Sequence, residues 1–272
     1  MHNAALEALG LDYAYLPFVV KGEDLGALLS ALKSVNFAGV NVTMPHKQAV
    51  MEFLDEVSEL SRLLGAVNTI THKNGKLHGH TTDPEGFLRG FAEAGHSFEG
   101  KSVAILGNGG SARTIAFTLL YGASGAKPAR VALAARDTAK SEGIAKEVYV
   151  ALGLPVDVIP LERYAQHATE FDIVVNTTPL GMGANHAATP IPAETLGENQ
   201  IVYDIISNPE ETTLMRNARA RGAAAVGGLG MLVHQGVASF KIWTGVDADP
   251  ALYYAGIRRQ QQQSAAAKTA AA

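Results

Sequence analysis

An apolar run, Val103-Ala104-Ile105-Leu106, passes directly into Gly107-Asn108-Gly109-Gly110 and then into helical spacing from Ser111 to Leu120. That order constrains the fold more than any other feature of the chain. A buried-type strand ends at a glycine cluster and a helix starts there, which is the opening of a βαβ unit built to hold a dinucleotide. Gly107 permits the tight turn, and Gly109 lets the backbone approach a pyrophosphate. The first N–H groups of the helix, around Gly110 and Ser111, then face the phosphates with Asn108 beside them. The pattern is Gly-x-Gly-Gly-x-x-Arg, with Arg113 where a third glycine would stand. A glycine cluster alone is weak evidence, but the strand before it, the helix after it and a second strand from Arg130 to Ala135 supply the context that gives it meaning.

The residues that follow the second strand bear on which dinucleotide is bound. An acid at that place receives the ribose 2′-hydroxyl of NAD, whereas a cation receives the 2′-phosphate of NADP. Here the pair is Arg136-Asp137, one of each. Arg136 is suited to stack on adenine and pair with a phosphate, and Asp137 would repel that phosphate if it pointed inward. Either could also be a solvated loop charge. The balance leans to NADP, with NAD as the alternative.

Further strands are expected at Val156–Ile159, Ile173–Asn176, Val202–Ile206 and Ala224–Val226, alternating with helical segments. Such alternation predicts an α/β fold, a doubly wound, mostly parallel sheet with helices on both faces. The 272 residues exceed one usual domain and suit two. Residues 84–231 form the expected nucleotide domain. Residues 1–83, with returning helices over 232–259, form an expected α/β substrate domain, and the cleft between the two is the expected place of reaction. In the first part Leu25–Leu32 has helical spacing, Gly39–Thr43 reads as a short strand and Gln48–Leu64 as one helix. Ala66–Thr71 and Lys76–His80 flank Asn74-Gly75, the preferred pair for a tight type I′ hairpin. Residues 260–272, four glutamines and an alanine-rich run, read as a disordered low-complexity tail.

Composition excludes several function classes. A formal net charge of −4 disfavours a nucleic-acid partner. The absence of cysteine removes disulfides, thiolate metal sites and cysteine nucleophiles. No apolar run approaches the ~18 residues of a membrane span, and Met1-His2-Asn3-Ala4 does not open a secretory signal. The expectation is a cytoplasmic protein, a monomer or homodimer, acting on a small molecule. No metal site is expected.

Lys47 follows a strand end and the turn Thr43-Met44-Pro45-His46, Asn68 lies in Gly65-Ala66-Val67-Asn68-Thr69, and Asp83 follows Thr82. A lysine, an amide and a carboxylate at three element ends suit convergence on a polyol, although each alone is equally suited to capping or solvation. Taken with His2-Asn3, Asn41-Val42-Thr43-x-Pro45-x-Lys47, Asn176-Thr177-Thr178-Pro179-Leu180-Gly181-Met182 and Gly228-Leu229-Gly230-Met231-Leu232-Val233-His234-Gln235, they resemble the quinate/shikimate dehydrogenase family from His2 to about Gly245. The resemblance implies NADP-dependent, reversible reduction of 3-dehydroshikimate to shikimate in aromatic amino acid biosynthesis. It implies Lys47 and Asp83 as the catalytic pair, and Thr43, Asn68, Asp83 and Gln235 as substrate ligands. Cofactor contacts would come from Glu59, Gly107, Asn108, Gly109, Gly110, Ser111, Arg136, Asp137, Ile205 and Gly228.

Two departures from the family's pattern qualify these implications. Family members carry a strand and a Ser-x-Ser-Pro segment before the His-Asn, and those serines hold the substrate carboxylate. This sequence opens at Met1-His2-Asn3, so the expectation is a start assigned too late or a truncation. The family's Asp-x-x-Tyr is here Asp204-Ile205-Ile206-Ser207. The alternatives kept open are an NAD-dependent quinate/shikimate dehydrogenase and a catalytically impaired nucleotide-binding relic.

Overall fold

The computed structural model describes residues 1–35, 37–122 and 127–270. Two compact units divide the chain: Met1–Gly86 with Val233–Ala272, and Phe87–Leu232.

The first unit contains α1 (His2–Ala8), α2 (Leu25–Leu32), β1 (Gly39–Asn41), β2 (Glu56–Val57), α3 (Glu59–Leu64), β3 (Thr69–Lys73) and β4 (Lys76–His80), and α4 (Asp83–Glu93) begins in it. Its sheet has the order β1-β3-β4-β2, with β1 and β4 antiparallel to β3 and β2 parallel to β4. The β3–β4 hairpin closes at Asn74-Gly75, both with positive φ (54° and 73°), as a type I′ turn demands. Ile70 and Leu77 turn inward to join Leu25, Leu29, Val50 and Val67 in one core.

Gln48–Leu64 is not one helix. Ala49–Phe53 forms a 3₁₀ turn, β2 follows, and α3 begins afresh after Ser58. The competing partner is β4. Asp55 exchanges backbone and side-chain bonds with Leu77, and Ser58 N–H donates to Gly79 O at 2.9 Å. Once those backbone groups pair across the sheet, helix cannot continue through them, and Ser58 Oγ caps the new helix by accepting Ser61 N–H.

The second unit is a six-stranded sheet in which every neighbouring pair is parallel: β5 (Ser102–Leu106), β6 (Arg130–Ala135), β7 (Asp157–Pro160), β8 (Ile173–Asn176), β9 (Ile201–Asp204) and β10 (Ala224–Gly227). Helices α5 (Gly110–Tyr121), α6 (Thr138–Leu152), the short α7 (Tyr164–His167) and α8 (Thr213–Ala220) connect them. The strand order β10-β9-β8-β5-β6-β7 reverses between β5 and β8. In such sheets ligands bind outside the carboxyl ends of the strands at that reversal. Strands buried on both faces explain the continuous runs: Val103 through Leu106 and Ile173 through Val175 are all fully buried. The strand expected at Val202–Ile206 ends at Asp204, whose carboxylate accepts Ile206 N–H and turns the chain.

Two helices complete the chain, α9 (Leu229–Thr244) and α10 (Pro250–Ala270). Phe240 of α9 and Tyr253 of α10 pack with Ala5 and Leu6 of α1 in a second core of the first unit. Residues 260–270 are helical, not the disordered tail expected from their composition. Gln and Ala are good helix formers, and after Gly256 neither glycine nor proline interrupts α10. Residues 271–272 lie outside the described residues. Among the described residues no helix is long and apolar enough to cross a membrane.

Candidate active site

In the first unit, one hydrogen-bonded assembly gathers the expected lysine, amide and carboxylate. After β1 the chain turns through Thr43-Met44-Pro45-His46, closed by His46 N–H donating to Thr43 O at 2.9 Å. Val67 N–H donates to Lys47 O at 2.8 Å and fixes the backbone from which the lysine projects. Lys47 Nζ lies 2.6 Å from Asp83 Oδ2, with the side chains 27% and 17% exposed. Asp83 is the first residue of α4, and its Oδ1 accepts from Asn68 Nδ2 at 2.8 Å.

Asn68 is itself buried. Its Oδ1 accepts from Thr82 N–H and Thr69 Oγ1, both at 2.9 Å, so the amide orientation is determined and the NH₂ must face Asp83. Gln235 of α9 comes within 3.4 Å of the same NH₂ through its Oε1. Thr43 is exposed on the turn that carries Lys47. Glu59 sits apart from this network, exposed in the first turn of α3.

The expected residue set omits the hydroxyls beneath this assembly. Thr82, Thr69 and Ser239 are buried, and Ser239 Oγ touches both threonine oxygens, at 2.7 Å from Thr69 and 3.1 Å from Thr82. Asn41 Nδ2 donates to Ser239 Oγ at 3.1 Å, and Tyr15 OH donates to Asn41 Oδ1 at 3.0 Å. Helical periodicity offered one signal, since Ser239 lies one turn beyond Gln235 on the same face of α9.

In the second unit the glycine turn sits at the β5–β8 reversal. Gly107 has φ +106°, and a Cβ there would lie 2.9 Å from Thr177 Oγ1, so both the conformation and the space require glycine. Gly107 N–H donates to Ala134 O at 2.9 Å, continuing the β5–β6 ladder past the strand end. No atom lies within 4 Å of a Cβ built on Gly109 or Gly110, which leaves open space at the N-terminus of α5. Ser111 follows in the first turn of the same helix. A pyrophosphate fits that place, where helix N–H groups and dipole favour an anion. Asn108 reaches sideways, its Nδ2 donating to Asp137 O at 2.7 Å, and so braces the turn against the start of α6.

Arg136 is exposed at the end of β6. Asp137 is the N-cap of α6, its carboxylate accepting Lys140 N–H at 3.0 Å. Arg113 turns away to pair with Glu147 at 2.7 Å and lies over the Phe117 ring. Gly228 and Ile205 meet backbone to backbone: a Cβ on Gly228 would collide with the Ile205 carbonyl. Beside them, buried Asp204 receives Asn176 Nδ2, Thr212 Oγ1 and Ile206 N–H. Burial pushes its carboxyl above the usual carboxylate range, opposed by those hydrogen bonds.

A switch-point glycine turn with room for a pyrophosphate, in a chain that also holds a lysine ammonium against a carboxylate, defines a nicotinamide-nucleotide-dependent oxidoreductase. Residues 1–70 match the model of the shikimate dehydrogenase substrate binding domain, and residues 228–252 that of the shikimate 5′-dehydrogenase C-terminal domain. A shikimate dehydrogenase (NADP(+)) of Desulforamulus reducens is 40% identical over 252 residues, covering 91% of this chain and 85% of that protein. Its counterpart in Moorella thermoacetica is 42% identical, covering 93% and 85%. The solved structure of shikimate 5-dehydrogenase from Thermus thermophilus with NADP(H) and shikimate superposes with a TM-score of 0.84 at 32% identity, covering 95% of this chain and 92% of that one. The chain belongs to the shikimate dehydrogenase family.

Proposed function

We propose that this chain catalyses the reversible, NADP-dependent reduction of 3-dehydroshikimate to shikimate, with Lys47 and Asp83 as its catalytic pair. The observation that carries the assignment of residues is the Lys47–Asp83 contact at 2.6 Å, held from behind by Asn68. The substrate and cofactor are those of the two NADP(+) relatives and of the Thermus complex.

NADPH, when bound on the glycine turn, supplies the hydride. As hydride reaches the carbonyl carbon, its oxygen gains negative charge, and the Lys47 ammonium stabilises that charge and donates the proton. In the reverse direction Lys47 receives the proton from the hydroxyl. An ammonium has three donor hydrogens, and Asp83 takes one, so Asp83 orients the others. Asp83 also accepts a ring hydroxyl of the substrate, while Thr43, Asn68 and Gln235 bind the remaining hydroxyls. The open backbone at Gly109 and Gly110, with Ser111, would hold the pyrophosphate, and Gly107 shapes the turn. Asn108 contributes chiefly by bracing the turn. Arg136, exposed at the end of β6, would hold the 2′-phosphate. Asp137, turned to cap α6, contributes its backbone alone. Ile205 and Gly228, whose backbones meet, would hold the cofactor together with the glycine turn, and Glu59 would be a further cofactor contact, as the resemblance to the family implies.

Steady-state oxidation of shikimate with NADP⁺, run beside quinate and NAD⁺, tests this reading. Preference for shikimate and NADP⁺ in kcat/KM is expected; faster turnover of quinate, or no turnover of shikimate, overturns it.

A further inference from the structure

From Tyr15 to Lys47 the first unit contains a continuous series of hydrogen bonds running through five intervening side chains. Tyr15 OH donates to Asn41 Oδ1 at 3.0 Å, which turns the Asn41 NH₂ toward Ser239 Oγ at 3.1 Å. Thr69 Oγ1 donates to Asn68 Oδ1 at 2.9 Å, so the single Thr69 proton is committed. Ser239 Oγ therefore shares its one proton between two acceptors, Thr69 Oγ1 at 2.7 Å and the Gln235 carbonyl at 2.9 Å. Asn68 Nδ2 then donates to Asp83 Oδ1, whose other oxygen holds Lys47. Ser239 is the junction of this series, because its oxygen also meets Thr82 Oγ1 at 3.1 Å and the Gln235 carbonyl at 2.9 Å.

The placement of Ser239 joins β1, β3, the turn before α4 and the helix α9 through one fully buried hydroxyl. No apolar side chain could do this, since four surrounding polar groups would be left with one partner fewer in a site where water does not replace it. Donor chains in a low-dielectric interior also polarise one another, so the share of the Ser239 proton that falls on Thr69 adds to the bond Asn68 makes to Asp83.

We propose that Ser239 is a positioning residue for the reaction: acting through Thr69 and Asn68, it sets the orientation of the Asp83 carboxylate and thereby of the Lys47 ammonium. This rests on the proposed function of the same site. Ser239 touches neither reacting atoms nor cofactor, and its effect on them passes through two intervening side chains.

The test compares wild type, Ser239→Ala, Thr69→Val and the double variant as full chains, by steady-state kinetics with shikimate and NADP⁺ and by thermal unfolding. Ser239→Ala is expected to lower kcat/KM for shikimate by ~10-fold or more, since small misplacements of a reacting group are costly, while KM for NADP⁺ stays within about twofold. Thr69→Val, which removes the hydroxyl that receives the Ser239 proton but keeps its shape, is expected to give the same split. The double variant is expected to be no worse than the more impaired single variant, because both interrupt one series. Should Ser239→Ala fail to fold, Thr69→Val alone carries the test through the same split. Unchanged kcat/KM for shikimate, a KM for NADP⁺ that rises as much as kcat/KM for shikimate falls, or losses that add in the double variant each overturn the proposal. A wild-type chain inactive on shikimate fails the functional reading and this proposal with it; an active wild type with insensitive variants fails the proposal alone.

Discussion

Lys47 and Asp83, separated by 36 positions in the chain, meet at 2.6 Å because the turn after β1 and the first residue of α4 are both tied to Asn68 and its neighbours. Val67 N–H holds the lysine's backbone and Asn68 holds the carboxylate, so two consecutive residues before β3 position both members of the pair. The arrangement makes the ammonium's direction a property of the scaffold, as catalysis by a preorganised charge requires.

Lys47→Ala is expected to reduce turnover of shikimate by ~10²–10³, the typical loss when a preorganised donor to a developing oxyanion is removed. NADP⁺ affinity, measured by fluorescence titration, is expected to be unchanged, since the glycine turn belongs to the other compact unit. A variant that keeps more than a tenth of wild-type turnover removes Lys47 from the mechanism.

Arg136→Ala is expected to weaken NADP far more than NAD. A charge-assisted pair between Arg136 and the 2′-phosphate would contribute about 1.5–3 kcal/mol, and NAD has no such group. Because Asp137 is turned to cap α6, Asp137→Asn, a residue equally suited to that cap, should leave the NADP:NAD ratio where it was. Equal losses for the two cofactors after Arg136→Ala would assign the arginine to adenine stacking or to loop support.

At Gly228 even a methyl group has no room, since the Ile205 carbonyl occupies the place of its Cβ. Gly228→Ala should therefore push the end of β9 outward, at a cost of about 1–3 kcal/mol for overpacking, and raise KM for NADP⁺ more than KM for shikimate. Differential scanning calorimetry reads the first effect and steady-state kinetics the second. Wild-type stability together with a wild-type KM for NADP⁺ would contradict the close approach.

The buried Asp204 gives a pH signature. Its carboxyl is raised above the ordinary value of 3.8 by burial. A raised group holds its proton longer in the folded chain than in the unfolded one. Its contribution to stability is fully present below the ordinary value and is lost as pH climbs through the raised one. Asp204→Asn cannot ionise and keeps an oxygen for Ile206 and Asn176. The unfolding temperature of the variant relative to wild type should therefore climb as pH rises from about 4 toward neutrality. A difference independent of pH over that window would show that the carboxyl titrates normally.

What the sequence determined by itself was everything written in local order. Val103 to Ser111 announces a strand, a glycine turn and a helix because consecutive residues make that turn, and Gly107 duly carries the positive φ that glycine permits. Asn74-Gly75 announces the hairpin for the same reason. The motif residues Lys47, Asn68 and Asp83 were legible as a set through their resemblance to a family, and the fold brings them into contact. Tertiary structure alone decided what depended on a distant partner. Gln48–Leu64 has helical spacing, yet Asp55 and Ser58 bond to β4, and cross-strand hydrogen bonds override local propensity there. The direction of Asp137 was equally open, because an acid after a strand can face a ribose or cap the next helix; the backbone at Lys140 settles that it caps. Ser239 shows the limit most plainly. Its spacing one turn beyond Gln235 marks only a shared helix face, and folding alone places its hydroxyl among Asn41, Thr69 and Thr82, up to 198 positions away. The hydrogen bonds that give such a residue its role do not exist until the burial that demands them does.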